Sequence, residues 1–251
     1  MNALAPLPTA RDEDWRYADF DALKALAPEE FGKWKDIELA PRETRRKCLV
    51  LDGAVPELHR VRLTVGEGAR AELFAVNAGG DYLRLEVVVR LARGAHFEFG
   101  GVTIGGGEAT REFVTRVEHA EPDATSHQVV RAVHWVTATG NFLGRIEVAR
   151  DAQKTDAAQD FKGLILERGA STNAKPELEI FADDVKCAHG AAIGQMDEQA
   201  GYYMAARGIP PEVARKLLVR AFVADAFAAL EDEGEQEAML EAALKALGDM
   251  A

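Results

Sequence analysis

A short turn that sets Gly or Asp near a small residue recurs through the middle of this chain and restricts its fold more than any other feature. It reads Glu67-Gly68-Ala69-Arg70, Arg93-Gly94-Ala95-His96, Pro122-Asp123-Ala124-Thr125, Arg150-Asp151-Ala152-Gln153, Arg168-Gly169-Ala170-Ser171 and Ala188-His189-Gly190-Ala191. Successive alanines lie 26, 29, 28, 18 and 21 residues apart, which is room for two or three short strands and their bends. Gly or Asp here suits a corner of positive φ followed by an inward-pointing side chain. Between the turns, apolar residues alternate, as in Val61, Leu63, Val65 and in Leu85, Val87, Val89, Leu91. A unit repeating at this period stacks coil on coil, and the all-β form of such a stack is a parallel β-helix. A β-sandwich with ordinary hairpin turns carries a similar pattern, so the turns alone leave both folds open.

The flanks differ in texture. Residues 1–45 are rich in Pro, Trp and charge and read as an N-terminal helical segment, with a short helix over Asp19 to Leu26 stopped by Pro28. Residues 46–195 form the β section, and 196–251 a C-terminal helical region. There Asp197 to Arg207 is helical with Gly208 as its stop, and Pro210-Pro211 open a longer helix through Leu230. Val213, Leu217, Leu218, Phe222, Phe227 and Leu230 make its apolar stripe. A last helix runs from Glu237 to Leu247 with Leu240, Leu244 and Leu247 on one side.

Charge and cysteine content narrow the function. The 42 acidic against 30 basic residues give a net charge of −12, which repels phosphate backbones and anionic lipid. Nucleic acid and membrane are therefore not expected partners. Met1 to Trp15 has no apolar run of secretory length and no stretch reaches about 18 apolar residues, so a cytoplasmic protein is expected. Cys48 and Cys187 are too far apart in sequence to suggest a disulfide framework, and a reducing compartment fits. Cys48 reads as a packing residue.

The segment Asp183-Asp184-Val185-Lys186-Cys187-Ala188-His189-Gly190 holds the clearest chemistry. On a strand, Cys187 and His189 project from one face, where thiolate and imidazole can reach one metal. Clusters and structural metals need about four donors, so the pair is half a site and a second subunit would complete it. The competing reading makes Cys187 a buried small hydrophobe and His189 a hydrogen-bonded turn residue. His119, His127 and His134 either converge in a stacked coil or serve as ordinary polar fillers. Asp183, Asp184 and Asp197-Glu198 allow a β-helical enzyme acting on polysaccharide. The chain has no phosphate loop, dinucleotide fingerprint or nucleophile elbow, and an active enzyme is not expected.

The run from Lys175-Pro176-Glu177-Leu178-Glu179-Ile180-Phe181-Ala182 through Asp183 to Ala191 resembles the signature of the SufB/SufD family in its SufD form. The likeness continues through Ile193-Gly194-Gln195-Met196-Asp197-Glu198, Tyr202-Tyr203, Arg207-Gly208-Ile209 and Ala214 to Phe222. Leu7-Pro8-Thr9 with Glu13-Asp14-Trp15-Arg16-Tyr17 also resembles the family's opening. The resemblance implies a right-handed parallel β-helix, shortened relative to most members and flanked by helical segments. It implies a non-catalytic scaffold subunit for iron–sulfur cluster assembly that pairs with a SufB-like chain and docks a SufC-like ABC ATPase. His189, with Cys187 beside it, would then contribute to a transient iron–sulfur cluster shared with the partner. The helix carrying Pro211, Ala214, Leu217, Leu218 and Phe222 would dock the ATPase. A homodimeric assembly chaperone, pairing through the same strand, is an alternative.

Overall fold

The computed structural model describes residues 8–250; Leu7 of the N-terminal resemblance lies outside them. Twelve strands follow one another: β1 Lys35–Leu39, β2 Thr44–Leu51, β3 Glu57–Val65, β4 Arg70–Asn77, β5 Tyr82–Leu91, β6 His96–Gly105, β7 Thr110–His119, β8 Thr125–His134, β9 Thr139–Val148, β10 Asp156–Ile165, β11 Ser171–Ile180 and β12 Lys186–Gln195. Odd strands pair in parallel as one sheet and even strands as a second. Each coil is thus one odd and one even strand, and six coils stack into a parallel β-helix. Its first strand lies within the segment read from sequence as helical, because β1 is only five residues long and carries three charges, too little alternation to register as a strand.

The turn repeat belongs to two interleaved series of corners. Odd-to-even corners place Arg42, Gly68, Gly94, Asp123 and Lys154 at φ between +61° and +63°, one in every coil but the last. The backbone N–H of each donates to a carbonyl of the next corner, for example Gly68 to Arg93 at 2.9 Å and Gly94 to Pro122 at 3.0 Å. A left-handed residue is therefore required once per coil, and Gly supplies it at 68 and 94 without a steric penalty. Ala170 sits in the other corner series, between β10 and β11, which explains the short 18-residue interval. Ala188 to Ala191 is no corner at all; it lies inside β12.

Parallel pairing without offset aligns side chains in columns. The interior holds Phe97, Phe99, Phe113, Phe142 and Phe161, all 0–1 % exposed. Phe99 meets Phe113 edge-on at 5.5 Å, and Phe142 stacks on Phe161 at 5.7 Å. Each such ring stabilises the coil by about 1.5–3 kcal/mol through burial.

Both outer faces are also covered. Over the odd sheet lies the N-terminal segment, whose α-helix among the described residues, α1 Phe20–Leu23, is shorter than the predicted Asp19–Leu26. Trp15, Leu23 and Phe31 pack with Tyr82 there. Trp15 also lies over the guanidinium of fully buried Arg84, 3.8 Å away, and Arg84 pairs with Glu112 at 3.3 Å. Over the even sheet lie α3 Pro211–Ala224, a 3-10 turn Asp225–Phe227 and α4 Glu233–Lys245, preceded in the chain by α2 Glu198–Ala206. The helix predicted from Pro211 to Leu230 stops at Ala224, where the tighter turn delivers Phe227 onto Phe74. Val219, Val223, Phe227 and Leu240 form one apolar cluster with Phe74, Val76, Val102 and Val133 of the sheet. Arg131, buried in the sheet, reaches Asp225 at 2.7 Å and fastens that turn.

Candidate functional site

The two ends of the β-helix are chemically opposite. At the N-terminal end Lys35, Arg45 and Lys47 occupy inward columns of β1 and β2, since they align with interior Val61, Ala71 and Leu73. Contact with the Lys35 amine and burial push Lys47 below the usual lysine range. Inward-pointing cations at a sheet end resist the addition of another strand. At the C-terminal end β12 has no charged side chain between Lys186 and Gln195, and nearly all of it is solvent-exposed. Its outer backbone edge has no neighbouring strand among the described residues.

Cys187 and His189 lie on this edge strand and share the inward column direction. Cys187 aligns with Ala157 of β10, and His189 with Gln159. Their Cα atoms are about 6.8 Å apart by strand geometry. The structure places both residues as the sequence implied, together and on one face. Cys187 is half-buried against Ile146, Val148 and Ala157, whereas His189 is exposed. Burial and the Asp156 carboxylate push the Cys187 thiol above its ordinary value, so at neutral pH it is a thiol rather than a standing thiolate. Beneath His189 the column continues as Gln159 and Gln128, whose buried amides have no hydrogen-bond partner. Among the described residues no group of three or more His, Cys, Asp or Glu is placed to hold a metal ion.

The other candidate residues are dispersed. His119 is buried at one corner and bonds Ser126 Oγ at 2.9 Å, His134 is buried at the opposite corner, and His127 faces outward, so the three do not converge. Asp184 lies 3.5 Å from Lys154 at an exposed corner, and Asp197 caps α2 by accepting from the Gln199 N–H. These carboxylates therefore have structural employment. Cys48 packs against the helix–sheet cluster.

His127 takes part in a surface triad whose pH response can be derived. Glu98 receives His96 Nε2 at 3.2 Å and His127 Nδ1 at 3.4 Å. Burial raises the Glu98 carboxyl, but the two histidine contacts outweigh it and hold it below the ordinary value of 4.5. The Glu98 contact raises His127 above 6.5. Glu98 thus adds stability that is lost as pH falls through its depressed value, and His127 adds stability that is lost as pH rises through its elevated one. Wild-type stability should decline from pH 6 to pH 8 by about 2 °C more than that of Glu98→Gln. Parallel melting profiles of the two proteins would refute the coupling.

The surface around β12 supplies a signal that hydrophobic periodicity did not. Among the described residues, ten large hydrophobic side chains are exposed, and seven fall between Ile180 and Leu217: Ile180, Phe181, Ile193, Tyr202, Tyr203, Val213 and Leu217. Their concentration in one stretch makes it the candidate interaction surface of the chain. A groove of about 350 Å³ between α2 and α3 is lined by Met196, Tyr202, Ala205, Pro211, Ala214 and Leu218. Of the five helix residues singled out by sequence, Pro211 and Leu217 are exposed, Ala214 and Leu218 line the groove, and Phe222 packs partly into the helix–sheet cluster.

Comparison with known proteins agrees with these features. The family model described as "SUF system FeS cluster assembly, SufBD core domain" matches residues 50–222. The chain is 36% identical over 126 residues to the iron–sulfur cluster assembly protein SufD of Escherichia coli, covering 50% of this chain and 30% of that protein. It is 32% identical over 139 residues to SufD of Bacillus subtilis, covering 55% and 32%. An iron–sulfur cluster assembly SufBD family protein of Synechocystis matches at 32% identity over 161 residues, covering 64% and 36%. The matched region spans about a third of the length of these curated relatives. With the six-coil parallel β-helix and the SufBD core model both covering its middle, the chain belongs to the SufB/SufD family of iron–sulfur cluster assembly proteins and is of the SufD type.

Proposed function

We propose that this chain is a non-catalytic scaffold subunit that presents the β12 edge to a SufB-like β-helix in the cytoplasm and contributes half of a nascent cluster site. One observation carries the reading: the one unpaired strand edge among the described residues without charges along its length also bears His189 and Cys187. The iron–sulfur cluster is cargo here, built between two chains. His189 supplies a neutral imidazole donor, and Cys187 a thiol that loses its proton on binding metal. Donors from the SufB-like partner complete the set.

The groove and exposed face formed by α2 and α3 dock a SufC-like ABC ATPase, with Pro211, Ala214, Leu217 and Leu218 as the contact and Phe222 supporting the helix from behind. The turnover of ATP belongs to that partner, and its motion reaches the scaffold through α3, whose far end is fastened to the β-helix by Phe227 and Arg131. Co-expression of the three chains is expected to yield one complex. Leu217→Glu, at a residue 45% exposed, should leave the melting temperature of the isolated chain unchanged and weaken ATPase binding at least tenfold. Unchanged affinity would remove this face from the docking site.

A second reading follows from the same edge: with no SufB-like chain present, two copies pair through β12 as an isologous dimer. Light scattering of the isolated chain distinguishes dimer from monomer.

A further inference from the structure

The β-helix interior contains a buried cation that no carboxylate neutralises. Arg111 begins the interior face of β7 and is 5% exposed. Its Nη2 donates to the Ala78 and Gly80 carbonyls at 3.3 Å each, while Nε and Nη1 have no partner among the described residues. Burial pushes Arg111 down to about 10, and the Asp81 charge, which makes no hydrogen bond to it, opposes this only in part. Uncompensated burial of a guanidinium is strongly unfavourable, so a counter-charge is expected at those two free donors.

A second buried group without partners lies at the neighbouring corner, within reach of the Arg111 charge. His134, at the end of β8, is fully buried with neither ring nitrogen bonded. Parallel register sets Gly105 beside His134 and Arg111 beside Gly140. A Cβ on Gly105 would lie 2.6 Å from the Arg111 Cζ, and one on Gly140 2.1 Å from the His134 Cε1. The two large side chains thus flank successive corners, β6–β7 and β8–β9, each lying over a glycine. Thr172, aligned with Gly140 on β11, adds a buried hydroxyl without a partner. Burial and the Arg111 charge hold His134 down at about 3, so it is neutral and offers one N–H.

We infer that this corner binds a small monovalent inorganic anion of halide size, held by Arg111 Nε and Nη1 with His134 as a further donor. A polyatomic anion is disfavoured because the surrounding positions, Gly105 and Gly140, are already filled by the two side chains. The anion enters as the glycine-rich corners around Gly80 and Gly105–Gly107 close during folding, and it stabilises the folded chain by mass action.

The test compares melting of the full chain in chloride and in gluconate at equal ionic strength, which separates binding from screening. Chloride at tenfold its Kd should raise the Tm by about 4 °C, and Arg111→Met should abolish the difference. Crystals grown with bromide should show an anomalous peak within contact of Arg111, a readout that does not depend on the variant folding. Equal melting in both salts, a chloride response retained by Arg111→Met, or density at the corner that is water alone would each overturn the assignment.

Discussion

Ala191→Lys should abolish pairing with a SufB-like chain while leaving the isolated protein folded. The substitution copies onto the C-terminal end the device found at the other: Lys47 points inward from β2 and leaves that end unsuited to a further strand. Ala191 aligns with Phe161 of β10 and is exposed in the single chain, so a lysine there keeps its ammonium in water and costs the monomer little. Once a partner strand covers the edge, the same ammonium is buried without an acid to meet it. That penalty is several kcal/mol, and about 2.7 kcal/mol already corresponds to a hundredfold loss of affinity. The expected measurement is a Tm within about 2 °C of wild type and loss of the SufB-like chain from co-purified complex. Wild-type affinity in Ala191→Lys would mean that β12 is not the pairing edge.

The second large effect is expected at Gly100, in the centre of β6 beneath the helical region. A Cβ there would lie 1.9 Å from the Ala226 carbonyl oxygen and 2.6 Å from the Phe74 ring. The first clash is with backbone and cannot be relieved by a rotamer change, so Gly100→Ala must lift the Asp225–Phe227 turn from the sheet. Phe227, buried against Phe74, would lose its seat, and α3 would lose its anchor. Overpacking of this kind destabilises by about 3 kcal/mol. Hydrogen exchange should show Val219 to Leu230 losing protection while β5 to β9 keep theirs. Gly201→Ala is the control: its Cβ meets nothing within 4 Å, and alanine in that helix is neutral or mildly stabilising. Equal exchange in Gly100→Ala and wild type would contradict the close approach.

Much of this architecture was legible from local chemistry. Gly68, Gly94 and Asp123 stand where the corner needs a left-handed residue, and the alternation of Leu85, Val87, Val89 and Leu91 marks an inward face. Where the reading failed, long-range packing is the reason. Strands such as Arg70–Asn77 are buried on both faces, inside by the neighbouring wall and outside by α4, so alternation dissolves into a continuous apolar run. The two corner series cannot be separated without knowing which strands share a sheet, which is why Ala152, Ala170 and Ala191 were threaded into one line. Trp15 and Glu112 bury Arg84 completely, and no local pattern signals partners so distant in the chain. Cys187 and His189 were recognisable as a pair because two-residue spacing on a strand is a local property. That their strand would end the stack of described coils depended on counting the coils.

The claim that this chain supplies half of a shared cluster site is tested most directly by His189→Ala in the complex with SufB-like and SufC-like partners. Iron and sulfide are added anaerobically, and cluster formation is followed by visible absorbance and by iron content per complex. Because His189 is exposed and lies on the edge strand, the variant should fold and assemble as wild type does while forming cluster at least tenfold more slowly. Cluster formation at the wild-type rate and yield in the His189→Ala complex would contradict it.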